Sequence, residues 1–173
     1  SISEHVKSNI IETDKLPLLK AITLYGHNAS GKSNLLDALV SMRWFINNSA
    51  TEKQSSEEIE VEPFELLQSS SKKPSFFEVI FLLGKQRYRY GFEADKKIIH
   101  KEWLLESKAT KEYPVFLRIG QNFEIDFKRF ENSEELEKRT RKNALFLSVA
   151  SQWNVNKAQK IDNWFESIFP VYG

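Results

Sequence analysis

The sequence predicts an α/β fold with α+β character: a strand–loop–helix core, an antiparallel β-meander attached to it, and a helical C-terminal segment. Three observations predict it. A short β-branched and aromatic run, Lys20 to Tyr25, ends at Gly26, and after Lys32 the apolar residues recur at helical spacing. From Phe77 to Phe127 the apolar residues alternate with period two, interrupted by glycine-containing turns. Beyond residue 130 helical spacing returns. The 173 residues therefore divide into 1–47 (N-terminal segment and strand–loop–helix), 59–130 (antiparallel sheet) and 131–173 (helical segment), read together as a single lobe. A chain of this length with 40% hydrophobic residues buries a real core.

The elements follow in order. Residues 1 to 15 are polar and carry no pattern. Leu35, Leu36, Leu39 and Val40 share one helical face, with Asp37 and Ser41 off it, and the helix is expected to run to about Ile46. Asn47 to Glu58, rich in Ser, Asn and Glu, is expected to be a mobile surface loop. Phe77, Val79, Phe81 and Leu83 alternate, Gly84-Lys85-Gln86 turns, and Tyr88, Tyr90 and Phe92 alternate against Arg87, Arg89, Gly91 and Glu93. Ile98 to Glu106 is a further strand. Val115, Leu117 and Ile119 alternate, Gly120-Gln121-Asn122 turns, and Phe123, Ile125 and Phe127 alternate again. Asn132 with Glu135 resembles a capping box, and acidic residues then precede Lys138, Arg139, Arg141 and Lys142 as a helix dipole favours. Lys157 to Phe169 is a second helix, with Ile161, Trp164, Phe165 and Ile168 on one face and Pro170 as its stop.

Composition excludes several functions. The formal net charge is only +1, which gives no bulk electrostatic case for nucleic acid or an anionic membrane. There is no cysteine, so disulfides, thiolate metal sites and cysteine nucleophiles are out, and three scattered histidines (His5, His27, His100) make no metal cluster. The most apolar stretch, Phe76 to Leu83, contains Glu78 and is too short to span a bilayer. No signal peptide is visible, so a cytoplasmic protein without membrane contact is expected. A start at Ser1 and a stop after an aromatic-rich segment suggest a piece of a longer protein.

The sharpest feature is Gly26-His27-Asn28-Ala29-Ser30-Gly31-Lys32-Ser33, which satisfies G-x-x-x-x-G-K-[ST], the P-loop pattern. A triphosphate brings several negative charges close together. Backbone N–H groups of a tight loop surround such oxygens without side chains in the way, and the glycines allow the torsions that this nest demands. The following helix adds the partial positive charge of its N-terminus. Lys32, the catalytic candidate, places an ammonium against the β- and γ-phosphates, and Ser33 offers a hydroxyl to Mg²⁺. The fixed positions coincide by chance in roughly 1% or fewer of chains this long, and the strand before and amphipathic helix after are the confirming context. The bland alternative is a glycine-rich turn without a ligand.

A GTP site would carry N-K-x-D, but the nearest match, Asn156-Lys157-Ala158-Gln159, lacks the carboxylate that reads guanine. ATP is therefore the expected nucleotide. The segment from Tyr25 through Gly26, His27, Asn28, Ala29, Ser30, Gly31, Lys32, Ser33 and Asn34 to Leu35-Leu36-Asp37-Ala38-Leu39 resembles the Walker A region of ABC-type ATPases of the SMC, RecF and OLD group. It is closest to bacterial AAA-annotated ATP-binding proteins, with Asn28 and Asn34-Leu35-Leu36 as the discriminating positions. Arg89-Tyr90-Gly91-Phe92, Glu102-Trp103-Leu104 and Lys142-Asn143-Ala144-Leu145-Phe146-Leu147-Ser148 look similar too. The resemblance covers roughly residues 20 to 169.

That resemblance implies a P-loop NTPase core with an antiparallel sheet, lobe I of an ATPase head. It also implies Mg-ATP bound at a head-to-head homodimer interface, and in several members a place in phage defence beside an effector protein. Gly26 to Asn34 become the nucleotide-binding residues, and Ser33 a Mg²⁺ ligand. Gln152 is similar in position to the glutamine that reaches Mg²⁺ at the end of lobe I; a plain polar residue at a helix end is the other reading.

The departures limit the resemblance. No Walker B strand runs into Asp-Glu, there is no L-S-G-G signature, and no switch histidine can be placed. In the family these lie C-terminal, so the chain alone is expected to bind ATP with little or no turnover. A nucleotide-gated dimerisation module controlling an effector is the alternative, and a small-molecule kinase lacks a visible acceptor site. Arg87-Tyr88-Arg89-Tyr90 could present a nucleic-acid surface; a half-buried strand with tyrosines inward is the favoured reading. Trp103, Trp153 and Trp164 are expected to be core or interface anchors.

Overall fold

The computed structural model describes residues 10–11, 18–19, 27, 31–50, 74–108 and 110–168. The chain falls into two compact units, Ser1–Leu36 and Asp37–Gly173. In the first, β1 (Ile10–Ile11) pairs antiparallel with β2 (Leu18–Leu19). The strand expected over Lys20 to Tyr25 lies outside the described residues. Helix α1 runs Lys32–Asn48.

The second unit is built on the meander that the alternation predicts. Strands β3 (Ser75–Leu83), β4 (Gln86–Ala94), β5 (Ile99–Lys108), β6 (Lys111–Ile119) and β7 (Asn122–Ile125) form a five-stranded sheet in sequence order. Every pair is antiparallel. The hairpin turns need glycine: Gly84 sits at φ 61° and Gly120 at φ 59°, left-handed values that side chains disfavour. Strand β7 stops at Ile125 rather than Phe127 because Asp126 turns the chain, its Oδ1 accepting from the N–H groups of Lys128 (3.0 Å) and Arg129 (3.2 Å).

One face of the sheet carries the core. Tyr88, Tyr90, Phe92, Leu104 and Phe116 are buried there. Arg87 and Arg89 point to the opposite face, where both meet Glu112 and Arg89 also meets Glu78. The tyrosine-in, arginine-out pattern is therefore the observed one. Against the core lie the later part of α1 and the helices α2 (Leu136–Arg139), α3 (Phe146–Gln152) and α4 (Asn156–Glu166). Trp164 stacks on Phe81 with ring centroids 4.2 Å apart, and Phe146 meets the edges of Phe116 and Phe123 at 5.0 and 5.1 Å. Helix α4 ends earlier than the pattern suggests, but Ile161 and Phe165 are buried as expected, with Trp164 and Ile168 packed beside them.

Three expectations are corrected. The buried positions of α1 are Met42, Phe45 and Ile46, one to two turns beyond the stripe read from sequence, and Leu35 is 59% exposed. Ser49, expected in a mobile loop, is buried and bonded; residues 51–58 of that loop lie outside the described residues. The capping box does not form. Asn132 and Glu135 take left-handed φ values of 63° and 67°, which break the helical path, so α2 is a single turn of 4 residues starting after an uncapped Glu135.

Candidate functional site

The G-x-x-x-x-G-K-S segment can be followed where it joins α1. Gly31 sits at φ 85°, and a Cβ there would meet nothing within 4 Å, so it is the torsion and not crowding that asks for glycine. Its carbonyl accepts the N–H of Leu35 (3.2 Å), which opens the helix at Lys32. The N–H groups of the first helical turn have no intrahelical acceptor by construction, and no acidic residue occupies that turn to compete for them. Ser33 and Asn34 are exposed, as is His27. A left-handed glycine leading into a helix N-terminus free of acids fits an anionic ligand. The set also fits Mg²⁺ held chiefly through phosphate oxygens, since Ser33 supplies one hydroxyl. Among the described residues no three His, Asp or Glu side chains gather as a metal site of their own. Gly26, Asn28, Ala29, Ser30 and the Lys32 side chain lie outside the described residues.

Gln152 is the last residue of α3 and is exposed. Beside it Trp153, 50% exposed, lies under the guanidinium of Arg139 at 4.1 Å from the ring centroid. Asn154 takes φ 64° and accepts from the Gln159 amide at 2.9 Å.

The second unit shows what holds that helix. Glu102 and Arg118 are register partners on β5 and β6, and both side chains are fully buried. The Glu102 carboxylate accepts from the Tyr90 hydroxyl (3.0 Å), the N–H groups of Phe146 (2.7 Å) and Leu147 (3.0 Å), and Arg118 Nη1 (3.4 Å). Arg118 in turn donates to the carbonyls of Gly120 (2.7 Å), Ala144 (2.6 Å) and Arg141 (3.2 Å). Burial pushes the Glu102 carboxyl above its ordinary value, although Arg118 and the two N–H groups work against the rise. Burial likewise lowers the Arg118 guanidinium, opposed by Glu102.

Sequence reasoning missed this pair as a site element. Its signal was parity: Glu102 shares its strand face with Leu104 and Arg118 shares its face with Phe116, so opposite charges occupy core-facing positions of adjacent strands. The stretches that carried the later resemblance are thus architectural. Glu102 reaches the start of α3, Trp103 packs on Gly91, and Ser148 is bonded to the end of α1.

The chain matches the family described as "AAA domain, putative AbiEii toxin, Type IV TA system" over residues 22–172. That span includes the helix-opening end of the loop, the whole meander and the three C-terminal helices. Neither a curated protein nor a solved structure matches the chain.

Proposed function

We propose a nucleotide-binding function from one premise: this chain belongs to that family of AAA domains, and is a P-loop ATPase-type domain. The ligand is Mg-ATP, held by Gly26, His27, Asn28, Ala29, Ser30, Gly31, Lys32, Ser33 and Asn34. The observation that carries this reading is Gly31 at φ 85° at the mouth of a helix whose first turn holds no acid. Lys32 sets its ammonium against the β- and γ-phosphates, and Ser33 serves Mg²⁺; for Gln152 the family resemblance alone suggests a Mg²⁺ contact. When bound, the ion neutralises phosphate charge.

The finer reading is lobe I of an ABC-type head that meets a second copy across the nucleotide. It rests on the Asn28 and Asn34-Leu35-Leu36 sequence markers and on the presence of an antiparallel sheet in the same chain. No helix among the described residues is long and apolar enough to cross a membrane. A cytoplasmic role beside an effector, in defence against phage, is what the resemblance to the ABC-type group implies.

Hydrolysis asks for a carboxylate that activates water and a signature that closes over the nucleotide. In the family that the chain resembles, both lie C-terminal to the residues matched here. A second reading is that ATP gates dimerisation and signals to an effector, with hydrolysis only as a reset. The two separate on whether ATP shifts the oligomeric state without turnover.

The deciding experiment is Lys32→Ala, with Mg-ATP affinity measured by titration calorimetry. Loss of binding is expected at unchanged melting temperature. Equal affinity in the variant would sink the assignment.

A further inference from the structure

An antiparallel sheet with one wet face carries polar residues on that face. This sheet departs from the pattern. On the side turned away from the core, Phe76 and Ile80 of β3 and Ile119 of β6 are 60%, 49% and 65% exposed. They belong to one patch. The Phe76 ring lies 5.6 Å from that of Trp103, and Trp103 is the register partner of Leu117, which shares its strand face with Ile119. Apolar side chains thus run from β3 to β6, crossing β4 at Gly91, where the indole fills the gap. Single exposed apolar residues are ordinary on a folded chain, but a contiguous group of them marks an interaction site.

The charged residues of the same face say what kind of partner fits. Lys101 pairs with Glu93 at 3.0 Å, Arg87 with Glu112 at 3.3 Å, and Arg89 with Glu78 and Glu112 at 3.1 Å each. Each of these cations is already held by an acid of the same face, so a nucleic acid or an acidic peptide would have to break a pair to be gripped. Glu124, exposed at the β7 margin, is the charge of the face without an ion pair among the described residues. A neutral, self-paired apolar face suits a copy of itself. A two-fold contact brings the same patch to both sides, fills its centre with apolar side chains and leaves the charges paired at the rim.

We propose that this face joins two copies of the chain, sheet against sheet, in a contact that needs no nucleotide. It uses none of residues 26–34 and is separate from the head-to-head contact across ATP.

Analytical ultracentrifugation of the full chain over a range of concentrations, without ATP and Mg²⁺, tests this. A concentration-dependent dimer is expected, and Lys32→Ala should form it equally well. Ile119→Lys places a charge in the patch at a position that the fold leaves exposed, so the variant should fold as wild type. The dimer Kd is expected to rise about tenfold or more, the scale of a hot-spot residue. Phe76→Lys should act in the same way and decides the matter if Ile119→Lys does not fold. Trp153→Lys, half exposed just past α3, should leave the Kd unchanged. A chain that stays monomeric at every concentration overturns the proposal. So does a dimer that the lysines at 76 and 119 leave intact, or one that Trp153→Lys weakens as much. A dimer that forms only with Mg-ATP overturns it too, while supporting the nucleotide contact. Loss of ATP binding in Lys32→Ala with the dimer kept separates the two readings.

Discussion

The indole of Trp103 lies directly against the Cα of Gly91, its register partner across β4 and β5. A Cβ on Gly91 would stand 2.5 Å from Trp103 Cζ2 and 2.6 Å from the Phe77 carbonyl oxygen. The indole N–H donates to Glu78 at 3.0 Å, and the ring meets Phe76 at 5.6 Å. The glycine is thus required by close approach rather than by a turn, and the tryptophan covers the sheet where a side chain is missing.

Gly91→Ala should therefore destabilise the chain by about 1–3 kcal/mol, the usual cost of overpacking. A chain of this size then loses about 2–4 °C of melting temperature per kcal/mol. Trp103→Ala on that background should recover only part of the loss, because the Phe77 carbonyl is backbone and cannot move aside. Thermal unfolding of the two variants decides it; a Gly91→Ala chain as stable as wild type would contradict the packing.

Glu102 and Arg118 make a different prediction because both are charged and buried. Glu102→Met or Arg118→Met alone leaves an uncompensated charge in the core and should cost about 3–5 kcal/mol. The double methionine variant should be markedly more stable than either single, since neither charge is then stranded. Denaturant unfolding of the three variants measures the coupling, and additive losses would show that the pair is not the unit described.

Much of the fold was legible in the residues, for physical reasons that also explain the misses. Period-two alternation is a direct imprint of the pleat, so Tyr88, Tyr90 and Phe92 could be placed inward and the glycine turns located. Of the loop motif the structure describes little, but Gly31 within it takes a positive φ that few residues adopt. The stripe on α1 was misjudged because apolar spacing names a face without saying which turns of it are covered: Met42, Phe45 and Ile46 are buried, and Leu35 is not. The capping box was misread because Asn132 and Glu135 satisfy the sequence pattern while their backbones turn left-handed. Glu102 reads as an ordinary strand residue until the start of α3, 44 positions away, is seen to end on it.

Acid should loosen the sheet from α4 through Glu106. Burial raises its carboxyl, but hydrogen bonds from Lys157 (2.7 Å) and Arg129 outweigh it, and the net position is below the ordinary value. A carboxyl whose folded pKa is depressed contributes stability above its unfolded value, and loses it as pH falls through the folded one. The loss is therefore expected on acidification from about pH 4.3 downward. Glu106→Gln should lower the melting temperature at neutral pH and flatten its decline in that range. Parallel melting curves for variant and wild type across pH would refute this.

The end of α1 and the start of α3 are joined by a relay of hydroxyls, and it should behave as one unit. The Leu145 N–H donates to Ser49 Oγ (3.1 Å), Ser49 donates to Ser148 Oγ (3.0 Å), and Ser148 donates to the Ile46 carbonyl. Each hydroxyl thus gives one bond and receives one, and both residues are buried. Ser49→Ala strands the Leu145 N–H, and Ser148→Ala strands the Ser49 hydroxyl and removes a donor from Ile46. Each should cost about 1–3 kcal/mol, the penalty of an unsatisfied buried polar group. Because the two share the middle bond, the double variant should lose less than the sum by at least about 0.5 kcal/mol. Denaturant unfolding of the four chains gives the coupling directly; strict additivity would mean the hydroxyls act separately. Valine at 148 should be no milder than alanine there, since restored volume leaves the Ser49 hydroxyl and the Ile46 carbonyl without their partner.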